Sequence, residues 1–366
     1  MRHYLAIDGG NSKTDVLVGA EDGRVLAFAR GPGSSPDSLG VEGSLAVLDA
    51  LIVPALAEAR RSVAAAARRH DDSRSVAAAA RRHDDSRSVA AAARRDDPSV
   101  TIDLLVAYLA GVDLPIEVER YAKAVGDIGW ATESVVDNDL FALLRAGTAD
   151  PDAIAVICGA GINCVGRRAD GRTARFPALG SLTGDWGGGH HLADLTLWHA
   201  ARGEDGRGPA TALSRAVAQH FGSARVEDVS AAMHLRDIPR SRIEELTPVL
   251  FDVAEAGDAV ARSVVARQAQ EIVLLARIAA ERLELLDEPH TIVLGGGVLT
   301  ARRPLLHGPV VAELATAAPR ATIEIVHDRP VAGAALLALD QWGTVTPQID
   351  ATVRFAVADR IAALDR

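Results

Sequence analysis

Three short glycine-rich stretches have the residue types to hold phosphate. Asp8-Gly9-Gly10-Asn11-Ser12-Lys13-Thr14 lies between two apolar, β-branched runs, so it closes a hairpin rather than leading a strand into a helix. Glycine lets a backbone approach phosphate oxygens closely, and the amides and hydroxyls of Asn11, Ser12, Lys13 and Thr14 can then donate to them. Asp8, at the strand end, is suited to a hydrated magnesium ion. Ile157 to Gly166 repeats the design around Gly159-Ala160-Gly161, and Ile292 to Leu299 carries Gly295-Gly296-Gly297 after a strand and before an expected helix. Each stretch alone reads as an ordinary turn, but three at strand ends, spread over both halves of the chain, weaken that reading. No Walker-type loop and no dinucleotide fingerprint occurs in its required context.

The elements that must carry these loops alternate. Strands are expected at Tyr4–Ile7, Thr14–Gly19 and Arg24–Ala29, then a helix over 41–60 with Leu45, Leu48, Ile52 and Leu56 on one face. Pro54 inside that pattern predicts a kink or an early stop. Ser62–Arg74 and Ser75–Arg87 are identical copies and a third, truncated copy begins at Ser88, making an Ala/Arg-rich insert over 62–97. Thirteen residues turn a helix ~220° beyond three full turns, so successive copies share no apolar stripe; the insert reads as an exposed helical extension or a floppy segment without chemistry. Leu104–Leu109 is a buried-type strand followed by a helix over Ile116–Val125. Ser134–Val136 is a short strand ending at Asp137-Asn138-Asp139, with Leu140–Ala146 helical after it. A second strand hairpin starts at Ile154, followed by helices near 192–202, 209–220, 227–233, 241–256 and 258–286 and a strand at Thr291–Leu294. This predicts an α/β protein built as two similar halves: 1–138 with the insert, 139–340 with a helical insertion, and a tail over 341–366. The boundary falls at Asp137–Asp139 or in the loop from Gly147 to Asp152.

Length and charge set limits. The 366 residues suit two cores, and 39 basic against 49 acidic residues, a net charge of −10, argue against a nucleic-acid surface. Cys158 and Cys164 are the two cysteines, too few for a disulfide framework or a thiolate zinc site. No signal-peptide pattern opens the chain and no apolar run approaches the ~20 residues of a membrane helix, so a cytoplasmic protein without a membrane partner is expected.

The ordered set Asp8-Gly9-Gly10…Lys13-Thr14, Asp139, Gly159-Ala160-Gly161, Gly295-Gly296-Gly297 and Val331–Ala335 resembles the actin/hexokinase/heat-shock-chaperone ATPase superfamily over residues 4 to about 340. Gly161-Ile162-Asn163-Cys164 and Gly184-Asp185-Trp186-Gly187 resemble, within it, N-acetylglucosamine kinases of the BadF-type ATPase family. The resemblance implies two ribonuclease-H-like domains with an ATP and sugar cleft between them, ATP and magnesium as cofactors, a small sugar as substrate and a homodimer. It implies Asp139 as general base, Gly9–Thr14 and Gly159–Gly161 on the ATP phosphates, and Gly295–Gly297 on the adenosine. Sugar contacts would come from Gly161, Asn163 and Asp185, with Ser35 at the position of the family's sugar-binding Asn and Ala110 at that of its Ser. Both departures remove hydrogen bonds, which leaves the acceptor open among N-acetylglucosamine, glucosamine and related sugars.

Asp137 competes with Asp139 for the catalytic role. Asp139 is preferred because it opens the helix and lies 24 residues before Asn163, near the family's interval. His190-His191 reads as loop packing rather than metal binding, and Trp130 and Trp198 as core or interface residues. Two other functions remain in view. An electron-passing dehydratase activator needs cysteines presented at a surface for an iron–sulfur cluster, whereas Cys158 and Cys164 flank a hairpin loop. A non-catalytic nucleotide-binding regulator would not need Asp8, Asp139 and Asn163.

Overall fold

The structure is a computed structural model that describes residues 1–79, 100–326 and 329–364. It divides into two units, Met1–Ala146 together with Asp328–Arg366, and Gly147–His327.

In the first unit, β1 (His3–Gly9), β2 (Lys13–Ala20) and β3 (Val25–Pro32) form an antiparallel meander. α1 (Pro36–Ala79) follows, and then β4 (Leu104–Leu109), α2 (Pro115–Ile128), β5 (Glu133–Asn138) and α3 (Asp139–Gly147). The sheet order is β3-β2-β1-β4-β5, with β4 parallel to both β1 and β5. β4 is apolar throughout and β1 is apolar from Tyr4 to Ile7, because both faces of a central strand are covered.

α1 is longer than the expected 41–60. Gly40, at φ 68° and ψ 170°, joins a short first helix to a long one that continues through Pro54. Leu48, Ile52, Ala55 and Ala59 form its buried stripe against the sheet. Ser62–Ala79 of the repeat insert continues this helix, and Ser62 Oγ donates to the Leu26 carbonyl at 3.1 Å. The remainder of the insert lies outside the described residues. The expectation that no apolar run reaches membrane-spanning length is corrected: the helix over Pro36–Ala66 is long and apolar enough to cross a membrane by length and composition.

The second unit repeats the topology. β6 (Ala153–Cys158), β7 (Ile162–Arg167) and β8 (Thr173–Arg175) form the meander, and β9 (His290–Gly295) and β10 (Ala321–Ile325) complete a sheet of order β10-β9-β6-β7-β8. Read from the meander outwards, this is the same 3-2-1-4-5 order with the same strand directions as in the first sheet. Between β8 and β9 the chain forms α4 (Gly189–Asp205), α5 (Leu213–His220), α6 (Val226–Leu235), α7 (Leu246–Glu255) and α8 (Ala259–Arg282). These match the five predicted helices to within a few residues. After β9 come the single turn α9 (Gly297–Thr300) and α10 (Pro304–Ala317).

The units change at Ala146/Gly147, beside the Gly147–Asp152 loop that was one of the two expected boundaries, and at His327/Asp328 instead of 340/341. α11 (Pro330–Gln341) and α12 (Pro347–Leu364) belong to the first unit, with α11 lying against β1, β4 and β2. Val331 to Leu336, Ala338 and Leu339 are buried, so this helix needs an apolar surface all round. A Cβ on Gly333 would stand 1.9 Å from the Ala142 carbonyl oxygen, a backbone approach that glycine alone permits. Buried Arg145 in α3 holds Asp340 at 2.7 Å and Asp350 at 3.2 Å, tying α3 to both returning helices.

Candidate active site

In the first unit, register brings three strand ends into one row. Gly9 pairs with Leu109 and Leu109 with Asn138, so Asp8, the segment after β4 and Asp139 share the C-terminal edge of parallel strands. Such edges are where open α/β sheets place ligands. The β1–β2 loop is tight, with the Gly10 amide donating to the Lys13 carbonyl at 2.9 Å. A Cβ on Gly9 would stand 2.4 Å from Leu109 Cδ2 and 2.5 Å from Ser34 Oγ. Thr14 Oγ1 donates to Ser34 Oγ at 2.8 Å, which holds the loop against the segment after β3. Asn11 and Ser12 are exposed at the hairpin tip and Lys13 is half-buried.

Three carboxyl groups gather at this edge. Asp8 is buried and pushed up to about 8, first by loss of water and then by Asp139 and Asp15, against Lys13 and Arg30. Asp113, just past β4, is raised to about 7 by burial, then by Asp139, Asp37 and Glu117. Asp139, the first residue of α3, is raised to about 6 by burial, which the amides of Leu140 and of its own residue partly offset. The helix N-terminus therefore moderates Asp139 but does not outweigh desolvation. Asp15 is separate from the trio in effect, because Arg30 holds both its oxygens at 2.6 and 2.9 Å.

Asn138 joins two of the three. Its Nδ2 donates to Asp113 Oδ1 at 2.8 Å, while its Oδ1 accepts the Leu140 amide at 3.0 Å and so caps α3. Asp137 Oδ1 accepts its neighbour's amide, Asn138 N, at 2.7 Å. It alternates with the buried Val136 and Asn138 along β5 and so points to the other face from Asn138. Asn138 and Asp113 were not singled out from sequence.

These raised values have a stability consequence. The folded state keeps protons that an unfolded carboxyl near 3.8 has already released. The stability tied to these groups is intact below about pH 4 and is lost as pH rises through 6 to 8. Asp8→Asn is therefore expected to raise the melting temperature more at pH 8.5 than at pH 5, by on the order of 1 kcal/mol of added stability per pH unit. Thermal melts in a chelator at both pH values measure this, and an equal shift at the two would count against the assignment.

The second unit holds the other candidate residues. The β6–β7 hairpin closes with the Gly159 amide donating to the Gly161 carbonyl at 2.9 Å. Against it lies the start of α4: Gly189 N–H donates to the Gly159 carbonyl at 2.7 Å and His190 N–H to the Ala160 carbonyl at 3.0 Å. Gln268 of α8, fully buried, accepts the Gly188 amide at 2.9 Å, a support that sequence reasoning missed. Asn163 is buried on β7, where its Oδ1 accepts the Cys164 amide at 2.6 Å. Asp185 sits in the loop before α4, accepting from Thr183 Oγ1 at 2.8 Å.

A cavity of about 380 Å³ is lined by Gly159, Ala160, Gly297, Val298, Pro248 and Phe251 among others, a size suited to a small ligand. Its walls are largely apolar, and at its rim His190 Nε2 meets Glu244 at 2.8 Å and Arg303 meets Asp252 at 2.6 Å. The cavity brings two predicted glycine loops, 159–161 and 295–297, to one place. His190 thus pairs with a carboxylate, while His191 Nδ1 accepts the Gly187 amide at 2.9 Å and packs edge-on to Trp186. Trp130 packs on the first unit's core, and Trp198 is half exposed under Arg202. Cys158 and Cys164 are both buried thiols, and burial pushes Cys158 up to about 12. Neither is presented for a surface cluster. Among the described residues no three His, Cys, Asp or Glu side chains gather as a metal site.

Two sheets of one topology, each with a glycine hairpin at the end of its first strand, and an acidic strand-to-helix junction define a phosphate-handling ATPase fold. The chain belongs to the BadF/BadG/BcrA/BcrD ATPase family, whose pattern it matches over residues 5–338. It is similar to the N-acetyl-D-glucosamine kinase of Dictyostelium discoideum, 24% identical over 92% of this chain and 98% of that one. It is also similar to the N-acetylmuramic acid/N-acetylglucosamine kinase of Clostridium acetobutylicum, 25% identical over 82% of this chain and 86% of that one. A candidate N-acetylglucosamine kinase of Chromobacterium violaceum shares the fold, with a TM-score of 0.61 at 20% identity over 92% of this chain and 99% of that one.

Proposed function

We propose that the protein is an ATP-dependent kinase of amino sugars, acting first on N-acetylglucosamine at its 6-hydroxyl, with glucosamine or another hexose derivative as the alternative acceptor. The observation that carries the reading is Asp139, placed beside Asp8 and Asp113 at the strand edge and poised near pH 6. A carboxylate so tuned is ionised at neutral pH and still basic enough to take a hydroxyl proton.

In this reading the amides of the 159–161 and 9–14 loops hold the phosphates, and the cavity between Gly159 and Gly297 takes the adenosine against Pro248, Phe251 and Val298. Asp8 holds a hydrated magnesium ion, which suits one or two carboxylates rather than a closed protein cage. When bound, that ion neutralises phosphate charge. Ser35, Gly161, Asn163 and Asp185 hydrogen-bond the sugar, and the protein works in the cytoplasm, where ATP is supplied.

A coupled ADP-release assay over a panel of hexoses and hexosamines tests the reading. ADP formation that requires an amino sugar is expected. ADP formation without any sugar, or none with every sugar, would sink it.

A further inference from the structure

Four successive amides at the start of α4 are spent inside the second unit. Gly187 N–H donates to His191 Nδ1 and Gly188 N–H to Gln268 Oε1, each at 2.9 Å. Gly189 N–H and His190 N–H donate to the carbonyls of Gly159 and Ala160 at 2.7 and 3.0 Å. These amides are therefore not offered to an anion. They grip the β6–β7 hairpin by its carbonyls, and the grip decides which way the hairpin's own amides point. A trans peptide holds a carbonyl and the next residue's N–H on opposite sides, and no cis bond occurs among the described residues. With the Gly159 and Ala160 carbonyls drawn to α4, the N–H groups of Ala160 and Gly161 face away from it. Both residues are exposed, so two neighbouring amides are turned outwards, as an anion-binding stretch of backbone requires.

Gln268 secures this arrangement from behind. It is fully buried in α8, where its buried neighbours Val264, Val265, Ala269 and Ile272 are apolar, and its Nε2 has no hydrogen-bond partner among the described residues. A buried amide is costly unless it is bonded, so core packing alone would be better served by an aliphatic side chain. Its Oε1 is committed to the amide of Gly188, itself buried. The fit leaves no slack. A Cβ on Gly187 would stand 2.3 Å from Gln268 Oε1, and one on Gly188 would stand 2.6 Å from the Gly161 carbonyl carbon.

We infer that Gln268 is a positioning residue for the nucleotide: by fixing Gly188 it seats the start of α4 on the hairpin and keeps the Ala160 and Gly161 amides aimed at phosphate. The inference rests on the kinase reading above, which puts the ATP phosphates at the 159–161 loop. Asp185 is held separately, its amide donating to the Gly180 carbonyl at 3.0 Å, so the effect falls on ATP more than on sugar.

The test measures kcat and KM for magnesium-ATP and for the best sugar on the full chain. Gln268→Met keeps the length and removes the acceptor; it is expected to lower kcat/KM for ATP by ~10–100-fold while the KM for sugar changes less than about threefold. Gln268→Asn, which withdraws the amide by one methylene, should act in the same direction and serves if Gln268→Met fails to fold by circular dichroism. Gln268→Glu keeps an accepting oxygen on a carboxyl that burial holds neutral, and should return kcat/KM for ATP to within about threefold of wild type. A residue needed only for packing would lower the melting temperature of these variants without separating ATP from sugar or Glu from Met. That result overturns the inference and leaves the kinase reading standing. If no sugar is phosphorylated, the kinase reading fails, and backbone-amide NMR during titration with magnesium-ADP decides the inference separately. Perturbed Ala160 and Gly161 amides, with affinity at least about tenfold weaker in Gln268→Met, support it. Unperturbed amides, equal affinity or no binding of ADP overturn it.

Discussion

Asp139→Asn is expected to lower turnover by ~10²–10⁴ while changing sugar and ATP binding by less than about tenfold. The substitution keeps size and most hydrogen-bonding capacity at the first position of α3 and removes only the basicity. Because the wild-type carboxyl sits near 6, the rate should rise with pH through that value on its acid side. The variant should lose that limb. Asp137→Asn should do much less, since Asp137 lies on the opposite face of β5 from Asn138 and accepts the following backbone amide. Pre-steady-state turnover and binding measured on both variants separate the two. If Asp137→Asn proves the more damaging, the base has been misassigned; if neither exceeds tenfold, Asp139 is only part of the helix start.

The second large effect contrasts adjacent glycines. Gly296 has φ 87°, and a Cβ on it would stand 2.5 Å from the carbonyl carbon and oxygen of Cys158 and 2.7 Å from Gly159 N. Strain in the left-handed region and a collision with backbone add, so Gly296→Ala is expected to destabilise the protein by about 3 kcal/mol. Gly297 lines the 380 Å³ cavity, and a Cβ on it meets nothing within 4 Å. Gly297→Ala should therefore leave the melting temperature nearly unchanged and instead raise the KM for ATP. Melts and ATP titrations of the pair distinguish a glycine kept for the fold from one kept for the ligand. Similar behaviour in both assays would contradict the assignment of this cavity to nucleotide.

Much of the scaffold was legible because its signals are local. Apolar runs ending in glycine gave β1, β6 and β9, and periodicity gave α4 to α8 nearly to their ends. The residues that hold the candidate site were less legible because their roles depend on strand order. Asp113 lies three residues past Ala110, in the segment after β4, and its setting arises only because β4 lies between β1 and β5. Asn138 looked like a spacer between two aspartates, yet its two side-chain ends tie Asp113 to α3. Gln268 sits in a helix whose sequence says only that it is amphipathic, and its bond to Gly188 spans 80 residues. β8 and β10 are short edge strands of three and five residues, with too few positions for alternation to register. The return of α11 to the first unit could not be read from its composition, since an all-apolar helix fits any core.

That return bears on how the chain is made. Gly147–His327, 181 residues, is inserted within a unit whose remaining pieces come from either side of it. At ribosomal rates of ~5–20 residues per second, β4 would wait ~10–45 s and β1 ~15–65 s for α11 to be synthesised and cover them. During that interval Ala142 has no Gly333 beside it, and Arg145 has neither Asp340 nor Asp350 to neutralise it. The inserted unit has no such wait, because its own five strands are complete before α11 emerges. The vectorial order of assembly is thus the reverse of the order of the genetic message: the later-encoded sheet can mature first, and the earlier one is completed only when α11 reaches it.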